Sequence, residues 1–365
     1  MAAGSTPDPT PFFKLLGTDL MVLRSTTTPD LAPHPDASHR GVKPIRHYPR
    51  LDAARVLAAY AVIWIHTPRS EELLPSVALG RFAVPFFVAA SVLLLLQSHQ
   101  RNAERAYWPF AAQRWHRLGW PFVAWSLLYL ALKLIKKVVS PNQPNDFPGW
   151  EAFVVGTAYH LWFLPFLLAI NLVVEALARC QQSEWTRKLS TAAAIMLGFV
   201  VCAGSPPVTA PAWEPLQFMW LALPSVCWAF AWGINRHHRA ADHSGRQLSQ
   251  TMAIMVFIAS TAALWTFGRS ALLETLAGLS FLVLALQPYP LAPKIESLLT
   301  RFAPLAYGVY LSHLMILKIA ESVADRWQLS ASPPFDLVMF SLAAFGSTTL
   351  AWLLHQSRRT RWLLG

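Results

Sequence analysis

The sequence predicts an all-α membrane protein with about ten transmembrane helices, N-in and C-in. Three observations carry that expectation. The chain is 54% hydrophobic and only 13% charged, where soluble domains carry roughly 25% charged residues. Ten apolar segments follow one another from residue 51, each near the roughly 20 residues that a bilayer core requires. Of the 30 Lys and Arg, 21 fall on one side of the resulting zigzag and 8 on the other, the bias that marks cytoplasmic loops. The net charge of +11 is thereby explained by a bilayer as partner, with no need for nucleic acid.

Residues 1–49 are rich in Pro, Thr, Asp and His and hold no long apolar run. They read as a cytoplasmic, largely disordered segment. No apolar stretch follows a charged start, so no signal peptide is expected. The membrane domain spans 50–356, with segments at about 51–67, 80–97, 118–138, 160–178, 189–204, 216–234, 250–267, 271–287, 302–320 and 335–355. Residues 357–365 form a short basic tail, placed in the cytoplasm. The 16 Trp suit interfacial belts. Cys180, Cys202 and Cys227 match neither a disulfide framework nor a metal-ligand spacing, so no metal site is expected; no permanently bound cofactor is expected either.

The first segment carries Arg55 near its start and His66 near its end. Eleven helical steps cover about 16 Å and roughly three turns, which sets both side chains on one face. Charged and ionisable groups inside a membrane are costly and face a bundle interior or a wet cavity. Leu51 to Ile65 is about 22 Å of helix, less than the roughly 30 Å core. His66 is therefore expected below the outer surface, where a neutral imidazole works as a base or nucleophile. An anchoring arginine and an interfacial histidine are the plainer reading of each residue alone.

Arg114 and Arg117 stand at the inner mouth of the third segment. Spaced i, i+3, they would share a helix face and grip phosphate with two guanidinium forks. Positive-inside charge is the competing explanation. His160 and Trp162 open the fourth segment, where aromatic-belt anchoring is the plainer reading and a pair facing an acceptor the functional one. His313 lies twelve residues into the ninth segment and needs a partner. Glu274 is a further buried acid whose partner the sequence does not name.

Together, the Arg55–His66 pair, Asp52 in the run Arg50-Leu-Asp-Ala-Ala-Arg55, the Arg114-x-x-Arg117 pair, the run His160–Pro165 and Tyr310-Leu-Ser-His313 resemble the acyltransferase-3 family of integral-membrane acyltransferases. The likeness covers 50 to about 355. Val84-Pro-Phe-Phe-Val-Ala-Ala-Ser91 departs from the Phe-Phe-x-x-Ser-Gly that the family often carries there. The C-terminal esterase-like domain of many relatives is missing, which implies that the protein completes transfer itself or hands the acyl group to a separate partner.

The resemblance implies transfer of an acetyl or other acyl group from cytoplasmic acyl-CoA, with acetyl-CoA as co-substrate, to a hydroxyl of an extracytoplasmic glycan. The general build is similar to exopolysaccharide O-acetyltransferases, which implies a repeat unit on a lipid carrier, polysaccharide assembly partners and the bacterial inner membrane. His66, Arg55 and Asp52 would be catalytic. His66 would either deprotonate the acceptor or take the acyl group as an acyl-imidazole. Arg55 would steady the donor or oxyanion, and Asp52 would orient Arg55. Arg114 and Arg117 would hold the coenzyme phosphates, while His160, Trp162 and His313 would meet the acceptor. A transporter or flippase is the alternative, although no inverted halves or paired broken helices support it; an acyltransferase acting on a lipid or small molecule is another.

Overall fold

The computed structural model describes residues 48–102, 104–139, 149–204, 214–235, 243–287 and 292–365. Residues 1–47 of the expected N-terminal segment, and Arg236 and Arg239 of an expected inner loop, lie outside the described residues. The helices in chain order are α1 (Pro49–Ile65), α2 (Ala83–Arg101), α3 (Tyr107–Arg114), α4 (Trp120–Val139), α5 (Ala152–Val155), α6 (Phe163–Arg179), α7 (Glu184–Ala203), α8 (Glu214–Asn235), α9 (His243–Phe267), α10 (Ala271–Ala285), α11 (Pro293–Phe302), α12 (Ala306–Arg326) and α13 (Pro333–Gln356). No strand occurs among the described residues. The fold is all-α and polytopic, as its apolar segments predict.

Eight of the helical stretches are long and apolar enough to cross a bilayer. The two remaining apolar segments are the short ones, α1 with 17 residues and α10 with 15. Both sit inside the bundle. α1 is packed by α2, α10, α11, α12 and α13, and α10 by α1, α2, α8 and α9. A helix wrapped by other helices need not match the bilayer thickness, because protein rather than lipid meets its ends. By contrast, α7 turns Leu189, Met196 and Phe199 outward, and α9 exposes Met255 and Ile258, as lipid-facing helices do.

Small residues allow the close interior packing. α1 buries Ala54, Ala58 and Ala59 together with Leu51, Val62 and Ile63. At Gly278 of α10 a Cβ would stand 2.7 Å from the backbone nitrogen of Phe86 in α2, a clash that no rotamer relieves.

The Arg-x-x-Arg segment departs from a plain helix. Arg114 ends α3, and Trp115–Gly119 form a π-helical turn before α4 begins. Such a turn closes its hydrogen bonds one residue later than an α-helix. The hydrogen-bond ladder thus shifts by one residue within the Arg114–Arg117 stretch. The C-terminal tail folds back: residues 361–364 make a 3₁₀ turn, Trp125 Nε1 donates to the Leu363 carbonyl at 3.1 Å, and Leu364 is buried.

Candidate active site

His66 caps the C-terminus of α1, its N–H bonded to the Ile63 carbonyl at 3.1 Å. The helix stops there because Thr67 turns its hydroxyl back onto Ile63 (2.8 Å) and Pro68 follows. The next turn is tied down by a buried acid. Asp336, in the first turn of α13, accepts the N–H groups of Arg69 (3.1 Å) and Ser70 (3.0 Å) and the Ser70 hydroxyl (2.5 Å). A fully buried carboxylate is tolerable only when so satisfied. The Arg69 guanidinium reaches Glu321 (3.0 Å) and Asp325 (3.5 Å) of α12, and Lys318 pairs with Glu321 at 2.7 Å.

Around His66 the structure collects residues from distant segments. The His66 ring stacks on His313 with centroids 5.4 Å apart and planes at 21°. His313 in turn meets the edge of His160 at 5.2 Å. Three tyrosines close the group. Tyr159 Oη shares a 2.8 Å hydrogen bond with His66 Nδ1. Tyr129 Oη donates to the Leu311 carbonyl (2.9 Å) and accepts from Met315 N–H (3.1 Å). Tyr310 Oη donates to the His160 carbonyl.

The hydrogen bonds fix two tautomers. His313 Nδ1 lies 2.6 Å from the Tyr310 carbonyl, and His160 Nε2 lies 3.3 Å from that of Leu311. A carbonyl only accepts, so each of these nitrogens carries the proton and the other nitrogen keeps a lone pair. Those two nitrogens, His313 Nε2 and His160 Nδ1, are buried and have no hydrogen-bond partner among the described residues. Buried polar atoms left unmatched are uncommon, and these two belong to the ring stacked on His66 and to the ring packed against that one.

At the other end of α1, Arg55 pairs with Asp52 at 3.3 Å, one turn away. Arg117 is exposed and within electrostatic reach of both Arg55 and Arg114. Arg114 and Arg105 lie over the Phe110 ring at 5.1 and 4.5 Å from its centroid, and both bury an Nε without a hydrogen-bond partner among the described residues. Four guanidinium groups thus share one region; Asp52 pairs with Arg55, and Glu175, which is bonded to Arg179, acts electrostatically on Arg114.

The sequence-named residues divide accordingly. His66, His160 and His313 come together; Arg55, Asp52, Arg114 and Arg117 gather at the opposite end of the same helix. Trp162 joins neither group. It is 5% exposed and stacks on Phe218 of α8 at 5.9 Å, because the 3₁₀ turn Tyr159–Trp162 sends residues two apart in different directions. Glu274 finds its partners in Arg269 (3.0 Å) and Arg81 (3.5 Å).

Tyr159, Tyr129 and Asp336 escaped the sequence reading. A tyrosine next to His160 at a segment end is what an interfacial belt also supplies. An acid after Ser332-Pro-Pro is what any helix start supplies.

A cavity of about 500 Å³ lies between α4 and α6, lined among others by Trp115, Gly119, Ser126, Phe153, Thr157 and Leu168. Neither His66 nor the two arginines of the pair line it.

Residues 48–356 match a family model described as an acyltransferase domain. No curated protein and no solved structure matches the chain.

Proposed function

This chain belongs to the acyltransferase-3 family and is a membrane acyltransferase, and from that premise we propose that it moves an acetyl or other acyl group from cytoplasmic acyl-CoA to a hydroxyl of an extracytoplasmic glycan. The acceptor is an exopolysaccharide repeat unit on its lipid carrier, in the bacterial inner membrane. One observation carries this reading. A cluster of imidazoles and a cluster of guanidinium groups occupy the two ends of one short interior helix, about 16 Å apart along its axis.

That separation is comparable to the arm joining a coenzyme's phosphates to its thioester. With N-in and C-in topology, Arg114 and Arg117 face the cytoplasm and hold the phosphates through charge-assisted hydrogen bonds. Arg55, aligned by Asp52, adds positive charge along the donor. His66 stands at the thioester end.

In the reaction the acceptor oxygen forms a bond to the acyl carbon and the carbon–sulfur bond breaks. The hydroxyl proton goes to His66 Nε2 and then to the departing thiolate. If His66 instead takes the acyl group first, protein incubated with labelled donor alone retains label as an acyl-imidazole.

Purified protein in lipid nanodiscs, given labelled acetyl-CoA and lipid-linked repeat units, is expected to release free coenzyme and form an ester on the glycan. Transport of either compound without release of coenzyme would overturn the proposal. Ester formed only on a lipid or small molecule would overturn the glycan assignment.

A further inference from the structure

We propose that Tyr159 is a positioning residue for acyl transfer, holding His66 by Nδ1 so that Nε2 is the nitrogen that meets the substrates. The inference rests on the acyltransferase reading above and adds a residue to it.

The geometry is specific. The 2.8 Å bond between Tyr159 Oη and His66 Nδ1 uses one of the two ring nitrogens. The tyrosine ring stands edge-on to His66, centroids 5.2 Å apart and planes at 75°. His313 covers one face of the imidazole, stacked at 5.4 Å. With Nδ1 occupied and one face covered, Nε2 and the other face remain for substrate. Tyr159 is 43% exposed, so the bond sits at the open side of the cluster, whereas His160 and His313 are buried.

The backbone delivers the tyrosine there. α5 ends at Gly156, whose φ of +89° suits glycine and strains other residues. A Cβ at that position would also meet Leu161 at 2.7 Å. Three residues on, the 3₁₀ turn Tyr159–Trp162 carries Tyr159 and His160 in succession.

For Nε2 to offer a lone pair, neutral His66 carries its proton on Nδ1 and donates it to Tyr159 Oη, since a neutral imidazole has one N–H and one acceptor nitrogen. When Nε2 takes the proton of the acceptor hydroxyl, His66 carries a proton on each nitrogen, and Tyr159 Oη accepts the one on Nδ1. The same contact thus holds the ring before and after proton transfer. No proton is gained or lost by Tyr159 over the cycle.

The test uses the full-length protein in nanodiscs and compares wild type, Tyr159→Phe and His66→Ala with two acceptors, the lipid-linked glycan and hydroxylamine. Phenylalanine keeps the ring against His66 and removes only the hydroxyl. With the glycan, Y159F is expected to lose at least about tenfold in kcat, the low side of what positioned acid–base groups contribute, with the donor KM changed less than twofold. Hydroxylamine attacks a thioester without a base, so the protein-dependent rate, taken above the uncatalysed reaction, is expected to be the same for Y159F and wild type. Equal losses with both acceptors would make Tyr159 a packing residue and overturn the inference, as would full activity of Y159F with the glycan while His66→Ala is inactive. Full activity of His66→Ala with the glycan would instead overturn the catalytic role of His66 itself.

Discussion

The imidazoles at one end of α1 are held by stacked rings, backbone carbonyls and a tyrosine hydroxyl, whereas the guanidinium groups at the other end crowd one another, with Asp52 paired to Arg55 and Glu175 acting on Arg114. The histidine end is held in place without substrate, although His313 Nε2 and His160 Nδ1 have no partner among the described residues. Its rings have set orientations, and two have set tautomers. The arginine end is incomplete: like charges lie together, and buried Nε atoms of Arg105 and Arg114 have no acceptor among the described residues. Groups that perform chemistry gain from being fixed in advance. Groups that capture a polyanion gain from unmet charge, since the ligand then supplies the missing acceptors.

The contrast can be broken most directly at His66. His66→Ala is expected to lower glycan acylation by at least about 100-fold, within the range that general acid–base groups contribute. Solubilised protein should keep its size-exclusion profile, because His66 caps a helix that Asp336 and Arg69 hold independently. Wild-type turnover in a radiolabel assay would remove the imidazole end from the chemistry.

Next is the arginine end. Arg114→Ala combined with Arg117→Ala is expected to raise the donor KM roughly 10- to 100-fold, about 1.4–2.8 kcal/mol for the pair, because Arg117 is exposed and its contact is weakened by solvent screening. The kcat at saturating donor should change far less. A fall in kcat with an unchanged donor KM would show that these groups act at the reacting atoms. The wild-type donor KM should also rise with salt, and the double variant should respond less.

Asp336 sharpens the comparison, since it separates holding the frame from doing chemistry. Asp336→Ala leaves two backbone N–H groups and a hydroxyl without their acceptor, at about 1–3 kcal/mol each. It should lower the thermal midpoint by several degrees, read by a thiol-reactive or intrinsic tryptophan melt. Asp336→Asn keeps an accepting oxygen and should recover part of the loss. If both variants melt like wild type, the turn after His66 is anchored by Arg69 and its acids instead.

The smallest effect is expected at Trp162. Trp162→Phe keeps an aromatic ring against Phe218, and the acceptor KM should stay within about twofold, the scale of a conservative core change. A rise of tenfold or more would bring Trp162 to the acceptor despite its burial.

What the sequence by itself determined is whatever depends on near neighbours along the chain. Apolar length and Lys/Arg placement gave a polytopic helical protein, and the shortness of the first segment announced an unusual helix. The Arg55–His66 stripe, with Asp52 one turn from Arg55, needs only helical spacing. Tertiary structure decided the rest. Tyr159, His160 and His313 reach His66 from segments 93 to 247 residues away, and helix rotation and tilt in a bilayer follow from side-chain fit between helices rather than from any local pattern. The π-turn that follows Arg114, and the 3₁₀ turn that parts Trp162 from His160, are likewise set by what packs against them. Local periodicity places a side chain on a face of its own helix; only the packed bundle determines which other faces it meets.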